Sequence, residues 1–142
     1  MNRRSTSTLR VRYGETDQMG VAYHAHYLVW CEIGRTDYIR RLGVSYAELE
    51  RQGLFLAVAE ASIRYAGAAR YDDPIRVETW VDAVQSRMIT FRYEIVHDAD
   101  GEARPLASAV TKLVALDRHG ATRALPPELL ERFRALRAAD PA

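Results

Sequence analysis

The chain has 142 residues, 48% of them hydrophobic, and its 20 basic and 19 acidic side chains leave a formal net charge of +1. That length suits one domain, within the usual span of roughly 100–200 residues, and the composition excludes intrinsic disorder. The near-neutral balance excludes nucleic-acid binding through a bulk basic surface, so no nucleic-acid partner is expected. The only cysteine is Cys31. It cannot form a disulfide within the chain, which fits a reducing compartment. Met1 to Thr8 carries charges with no apolar run behind them, so no signal peptide is expected. Nowhere do ~18 apolar residues run together, so no membrane span is expected and a cytoplasmic location follows. No Cys/His cluster stands at ligand spacing, so no metal is expected.

Leu9, Val11 and Tyr13 alternate with Arg10 and Arg12, which predicts a first strand with one buried face. A polar loop follows, with Asp17 and Gly20, and a helix begins close to His24. Its first turns are apolar nearly all round: Tyr27, Leu28, Val29, Trp30, Cys31, Ile33. Such a helix is expected to be wrapped by the rest of the domain. It runs to Leu42, where Gly43 is the expected left-handed stop. Ser45 and Glu48 form a capping-box pattern that opens a short helix closed by Gly53.

Strand texture begins at Leu54 and runs to Ala66. Asp72-Asp73-Pro74 marks a turn. Ile75, Val77, Thr79, Val81 and Ala83 form the next inward row, and Ile89, Phe91, Tyr93 and Ile95 the one after it. Asp98-Ala-Asp-Gly101 is a hairpin signal. A last strand is predicted from Leu106 to Leu116, and Pro126-Pro127 opens a C-terminal helix striped by Leu129, Leu130, Phe133 and Leu136. The order is strand, long helix, short helix, four strands, helix. One antiparallel sheet curled around one long central helix satisfies it, an α+β fold in a single domain spanning residues 1–142.

The stretch from Tyr13 to Tyr27 carries the candidate chemistry. The first turn of a helix leaves N–H groups unpaired and partial positive charge, which suits an oxyanion. An ionised Asp17 beside it can attack a carbonyl or activate water. Read alone, Asp17 also suits a turn cap. His26 lies roughly 200° round the helix from His24, so it suits a structural or interface role. His97 and His119 fall in strand-end and turn contexts and are expected to be solvated. Arg64 is read as an inward strand arginine that could pair with Glu60 or Glu32. Tyr65 and Trp80 suit either the core or a pocket wall.

Asp17-x-x-Gly20-x-x-x-His24-x-x-Tyr27, with Glu15-Thr16 before it, Tyr23, and Glu32 and Arg35-Thr36 further on, resembles the signature of hotdog-fold acyl-CoA thioesterases. The similarity is to the 4-hydroxybenzoyl-CoA thioesterase type, closest to its bacterial Tol-Pal-associated branch, and it covers roughly residues 6 to 136. The resemblance implies hydrolysis of an acyl-CoA thioester, with Asp17 as nucleophile or general base. The backbone N–H of His24 would be the oxyanion donor, and its side chain a candidate catalytic group. Gly20, Tyr23 and Tyr27 would contribute to substrate binding. Arg87 and Arg123 match basic positions near the nucleotide of coenzyme A, which is substrate, so no separate cofactor is expected. The resemblance also implies a homodimer with shared active sites, pairing into a homotetramer. Two other readings stand beside it. One is a hotdog dehydratase or hydratase that uses His24 with an acid such as Glu32. The other is a non-catalytic acyl-CoA-binding or scaffold protein.

Overall fold

The alternating segments pair into one antiparallel sheet. The computed structural model describes residues 3–138, which contain five strands and three helices: β1 (Ser5–Arg10), α1 (His26–Arg41), α2 (Tyr46–Arg51), β2 (Phe55–Tyr65), β3 (Pro74–Val84), β4 (Met88–Ala99), β5 (Glu102–Leu116) and α3 (Pro127–Ala138). The strand order is β1-β3-β4-β5-β2, and every neighbouring pair is antiparallel. The expected element order holds, and the fold is the hotdog fold, a curled sheet packed on a long helix. Irregularities at Val58/Glu60, Val81/Ala83 and Ile95/Val96 help to curl the sheet, since bulges bend a strand and raise its twist.

The inward rows are largely as expected. Ile75, Val77 and Val81 of β3 and Ile89, Phe91, Tyr93 and Ile95 of β4 are buried against Trp30, Cys31, Tyr38 and Ile39 of α1. Phe133 of α3 stacks on Tyr38 with ring centres 6.3 Å apart, so the C-terminal helix extends the same core. Ser45 caps α2 by accepting the Glu48 N–H at 3.2 Å. Gly43 and Gly53 are left-handed, at φ +84° and +82°. The Asp98–Gly101 hairpin forms with Asp100 and Gly101 both at positive φ, at 53° and 77°. That turn chemistry matches the twist of the flanking strands.

Three expectations needed correction. The first strand lies earlier, at Ser5–Arg10, and Tyr13 falls in a short 3-10 turn, Tyr13–Glu15, with its ring exposed. The buried Glu15 takes the inward place instead. The last strand begins at Glu102 because Pro105 sits at the Ile95/Val96 irregularity, where a missing N–H is tolerated. Most consequential, α1 is not wrapped on all sides. Leu28, Val29 and Ile33 are 41%, 43% and 38% exposed, so one apolar face is open. No helix among the described residues is long and apolar enough to cross a membrane.

Candidate active site

Between β1 and α1 the chain folds into a miniature ladder. Thr16 bridges Ala22, the Asp17 N–H donates to the Val21 carbonyl at 3.0 Å, and the Tyr23 N–H donates to the Glu15 carbonyl at 2.8 Å. Asp17 and Gly20 close its tip, where the Gly20 N–H donates to the Asp17 carbonyl at 3.0 Å. Gly20 has φ +78°, a conformation that favours glycine. The Asp17 side chain spends one oxygen on this turn, with Oδ1 accepting the Met19 N–H at 2.9 Å. Oδ2 has no hydrogen-bond partner among the described residues and remains available for chemistry.

The loop is anchored from below by Glu15, only 3% exposed. Its carboxylate accepts the Arg12 N–H at 2.8 Å and the Trp30 indole N–H at 3.0 Å, which ties the loop to α1. Burial alone would raise the Glu15 pKa. The hydrogen bonds from the Arg12 backbone, the Trp30 indole and the Arg12 guanidinium outweigh burial and hold it below the usual value. Ala22 adds a second tie, donating to the Ala69 carbonyl at 2.7 Å.

Helix α1 starts two residues after His24, with Ala25 as its N-cap and no side chain capping it. The N–H groups of His26, Tyr27 and Leu28 are spent on the carbonyls of Tyr23, His24 and Ala25. Those of His24 and Ala25 have no acceptor among the described residues. Two unspent donors at a helix start form the kind of cradle an oxyanion needs. The ladder turns the chain back so that Asp17 lies at this same end of the molecule. The Tyr65 hydroxyl donates to the His24 carbonyl at 2.8 Å and fixes the helix start to β2. By sequence Tyr65 suits either the core or a pocket wall; this contact carries no local signal, because only the fold creates it.

Tyr27 is buried, its hydroxyl accepting the Ala69 N–H at 3.3 Å and its ring 4.6 Å from that of Trp30. Tyr23 is exposed and packs on His24 at 4.4 Å between ring centres; the His26 ring lies 6.3 Å from it, edge-on. The loop, His24, Tyr23 and Tyr27 therefore come together. Arg87 and Arg123 come together elsewhere. The Ala115 N–H donates to the Arg87 carbonyl and the Arg123 N–H to the Ala115 carbonyl, each at 2.9 Å. This pair sits at the Leu116 end of β5, whereas Tyr65 and His24 sit beside Ala107. Eight residues of strand separate the two ends, roughly 26 Å. Within one chain these arginines do not reach Asp17.

Other expectations are revised. His97 is half-buried and lies 3.4 Å from Asp73, so it is not simply solvated. His119 is exposed, as expected, with its backbone N–H bound to Asp117. Arg64 faces outward and contacts neither Glu60 nor Glu32; Glu60 pairs with Lys112 instead. Trp80 is buried on the outer face of the sheet, with the Arg4 guanidinium 4.0 Å above its ring. A cavity of about 450 Å³ on that face, lined by Arg64, Trp80 and Arg92, includes neither Asp17 nor His24.

Comparison with known proteins supplies the family. Residues 11–133 match the model of the thioesterase-like superfamily. The acyl-CoA thioesterase YbgC of Haemophilus influenzae is 36% identical over 110 residues, 77% of this chain and 78% of that one. The structure of a DHNA-CoA thioesterase from Staphylococcus aureus aligns with a TM-score of 0.88 and 32% identity, covering 95% of this chain and 91% of that one. A 4-hydroxybenzoyl-CoA thioesterase bound to 4-hydroxybenzoyl-CoA aligns at a TM-score of 0.83, covering 92% and 98%, and at 17% identity shows the fold alone. The chain belongs to the thioesterase-like superfamily.

Proposed function

We propose that the protein is an acyl-CoA thioesterase, cleaving an acyl-CoA into a free acid and coenzyme A. The observation that carries this reading is that, among the described residues, Oδ2 of Asp17 and the N–H groups of His24 and Ala25 at the start of α1 are all unspent within one stretch of chain. Family membership and the activities named for its relatives agree with it.

In this mechanism the thioester oxygen lies at the start of α1, accepting from His24 and Ala25 as charge develops on it. Asp17 either adds to the carbonyl carbon directly or takes a proton from water whose oxygen adds instead. Collapse of the tetrahedral intermediate breaks the C–S bond and expels the coenzyme A thiolate, which takes up a proton. On the direct route water then cleaves the anhydride formed with Asp17. Label found in Asp17 after single turnover in labelled water demonstrates the direct route, since it enters only by attack at the Asp17 carbonyl of the anhydride. Attack at the acyl carbonyl places it in the free acid, as the water route does, and there trapping the anhydride with hydroxylamine separates the two. His24 contributes its N–H, and its exposed imidazole stands beside the same point.

Asp17→Asn should lower kcat by about 100-fold or more, roughly 3 kcal/mol of barrier, with folding unchanged. Free-thiol release over a panel of acyl-CoA substrates measures this. Burial pushes the Cys31 thiol up to about 12, so the assay reads coenzyme A alone. Turnover within threefold of wild type would remove Asp17 from the chemistry. Binding of acyl-CoA without thiol release would favour a scaffold, and loss of enoyl absorbance a hydratase.

The site is proposed to be completed by a second copy. Among the described residues β2 is an edge strand whose one neighbour is β5, and the open apolar face of α1 lies beside its exposed Val58. Antiparallel pairing of two β2 edges about their middle brings the partner's Phe55 end to this chain's Tyr65 end. The partner's Arg87 and Arg123 then approach Asp17, where they would bind the phosphates of coenzyme A. Pairing of such dimers gives the homotetramer the resemblance implies.

A further inference from the structure

Arg35 is only 8% exposed, yet no carboxylate among the described residues lies within ion-pair distance of it. Its Nε donates to the Tyr46 hydroxyl at 2.9 Å and Nη1 to the Tyr93 hydroxyl at 3.1 Å. A guanidinium has five N–H donors, so three of them have no protein acceptor. Burying a cation on neutral partners alone is costly, and buried arginines are ordinarily matched with an acid.

The guanidinium lines a cavity of about 200 Å³ between α1 and the β2–β5 pair. Leu28, Val29, Val58 and Ala61 supply apolar walls, and Glu32 lies one turn of α1 before Arg35. Thr111 also lines it, but its hydroxyl is engaged with that of Tyr93 at 2.6 Å. Glu32 has no hydrogen-bond or ion-pair partner among the described residues. The cavity begins about one turn of α1 beyond His24 and Ala25, at Leu28 and Val29, so an acyl chain whose carbonyl rests on those two N–H groups and that follows the helix would enter it. Its end then meets one unspent donor group and one unspent carboxylate.

Resting on the thioesterase reading above, we infer that the preferred acyl group ends in a hydroxyl, which accepts from Arg35 and donates to Glu32. A methyl end would satisfy neither group, and a carboxylate would meet Glu32 as a like charge. From Ala25 to Arg35 the helix rises about 15 Å, less the lean of side chains toward its N-terminus, which suits a chain of about eight carbons.

The test compares octanoyl-CoA with ω-hydroxyoctanoyl-CoA by free-thiol release. Wild type should favour the hydroxylated substrate about tenfold in kcat/KM, since a polar site rejects an analogue that leaves its groups unpaired. Arg35→Met should reverse the preference, making the cavity floor apolar. Should that variant fail to fold, Glu32→Gln, an exposed change, should still shrink the preference. Equal kcat/KM values, a preference for octanoyl-CoA, or turnover of other acyl-CoAs but neither of these, would overturn the inference and leave the thioesterase reading standing. No thiol release from any acyl-CoA would overturn both.

Discussion

A single buried carboxylate, Glu15, holds the loop that carries Asp17 in register. Glu15 joins the loop to α1 through Trp30, so its charge contributes stability that depends on pH. Its folded pKa lies below the unfolded one. The contribution is therefore complete above the usual carboxylate pKa, about 4.3, and is lost as pH falls through the folded value. Glu15→Gln should lower stability by about 2 kcal/mol at neutral pH, the value of hydrogen bonds to a charged group. Urea denaturation should show the gap between wild type and variant closing as pH is lowered into the acid range. A gap that persists there would mean that shape, not charge, holds the loop. Tyr65 acts on the other side of the site. Tyr65→Phe deletes the bond to the His24 carbonyl and should lower kcat about five-fold, with little change in melting temperature, if that bond aligns the oxyanion donors. At this scale the sequence was only half legible. Asp17, Gly20 and His24 stand in a spaced motif, and Glu15 and Arg35 accompany it, but a one-dimensional reading does not show that those two charges are buried. What makes them significant is burial, and burial depends on what the fold lays over them.

Helix α1 and strand β3 approach each other so closely that there is no room for a side chain at Gly34. A Cβ there would stand 2.3 Å from the Thr79 hydroxyl and 2.9 Å from a Val77 methyl. Thr79 already buries that hydroxyl with no hydrogen-bond partner among the described residues, a group that costs stability and gains nothing polar in return. Gly34→Ala should therefore cost about 3 kcal/mol through overpacking. Thr79→Ala should recover part of the loss in the double variant, because it removes the nearer of the two clashes. A double-mutant cycle measured in urea gives the coupling directly, and additive effects would show that the helix shifts instead of clashing. Element order was well legible, since period-two rows and turn residues such as Asp100-Gly101 are local signals. The start of β5 was not, because Pro105 reads as a strand breaker until the bulge that accommodates it is seen. The glycine inside α1 gave no sign of its role either; its neighbours lie more than forty residues further along the chain.

At the scale of the whole molecule, an all-round apolar helix predicted complete enclosure, whereas one chain leaves Leu28, Val29 and Ile33 open. The apolar pattern is consistent with a helix whose last face is covered by a second copy. If β2 edges meet antiparallel, every active site combines Asp17 from one chain with Arg87 and Arg123 from its partner. Complementation tests this. On the proposed reading Asp17→Asn should remove the chemistry, and Arg87→Ala with Arg123→Ala should raise KM for acyl-CoA while leaving kcat nearly unchanged. Assayed well below the raised KM, each variant alone is weak. Unfolded together and refolded as an equal mixture, half the dimers should be mixed, and each mixed dimer regains one site with every residue intact. Activity should return to about a quarter of the wild-type value, as two-fold symmetry requires. That recovered activity should fall with added salt, because its arginines bind phosphate through exposed charges. If instead each site lay within one chain, mixing would give only the average of the two variants. Ile33→Lys supplies the second arm, placing a charge on the open face of α1. It should shift sedimentation toward monomer mass and take acyl-CoA activity down with it; a fully active monomer would show that one chain suffices.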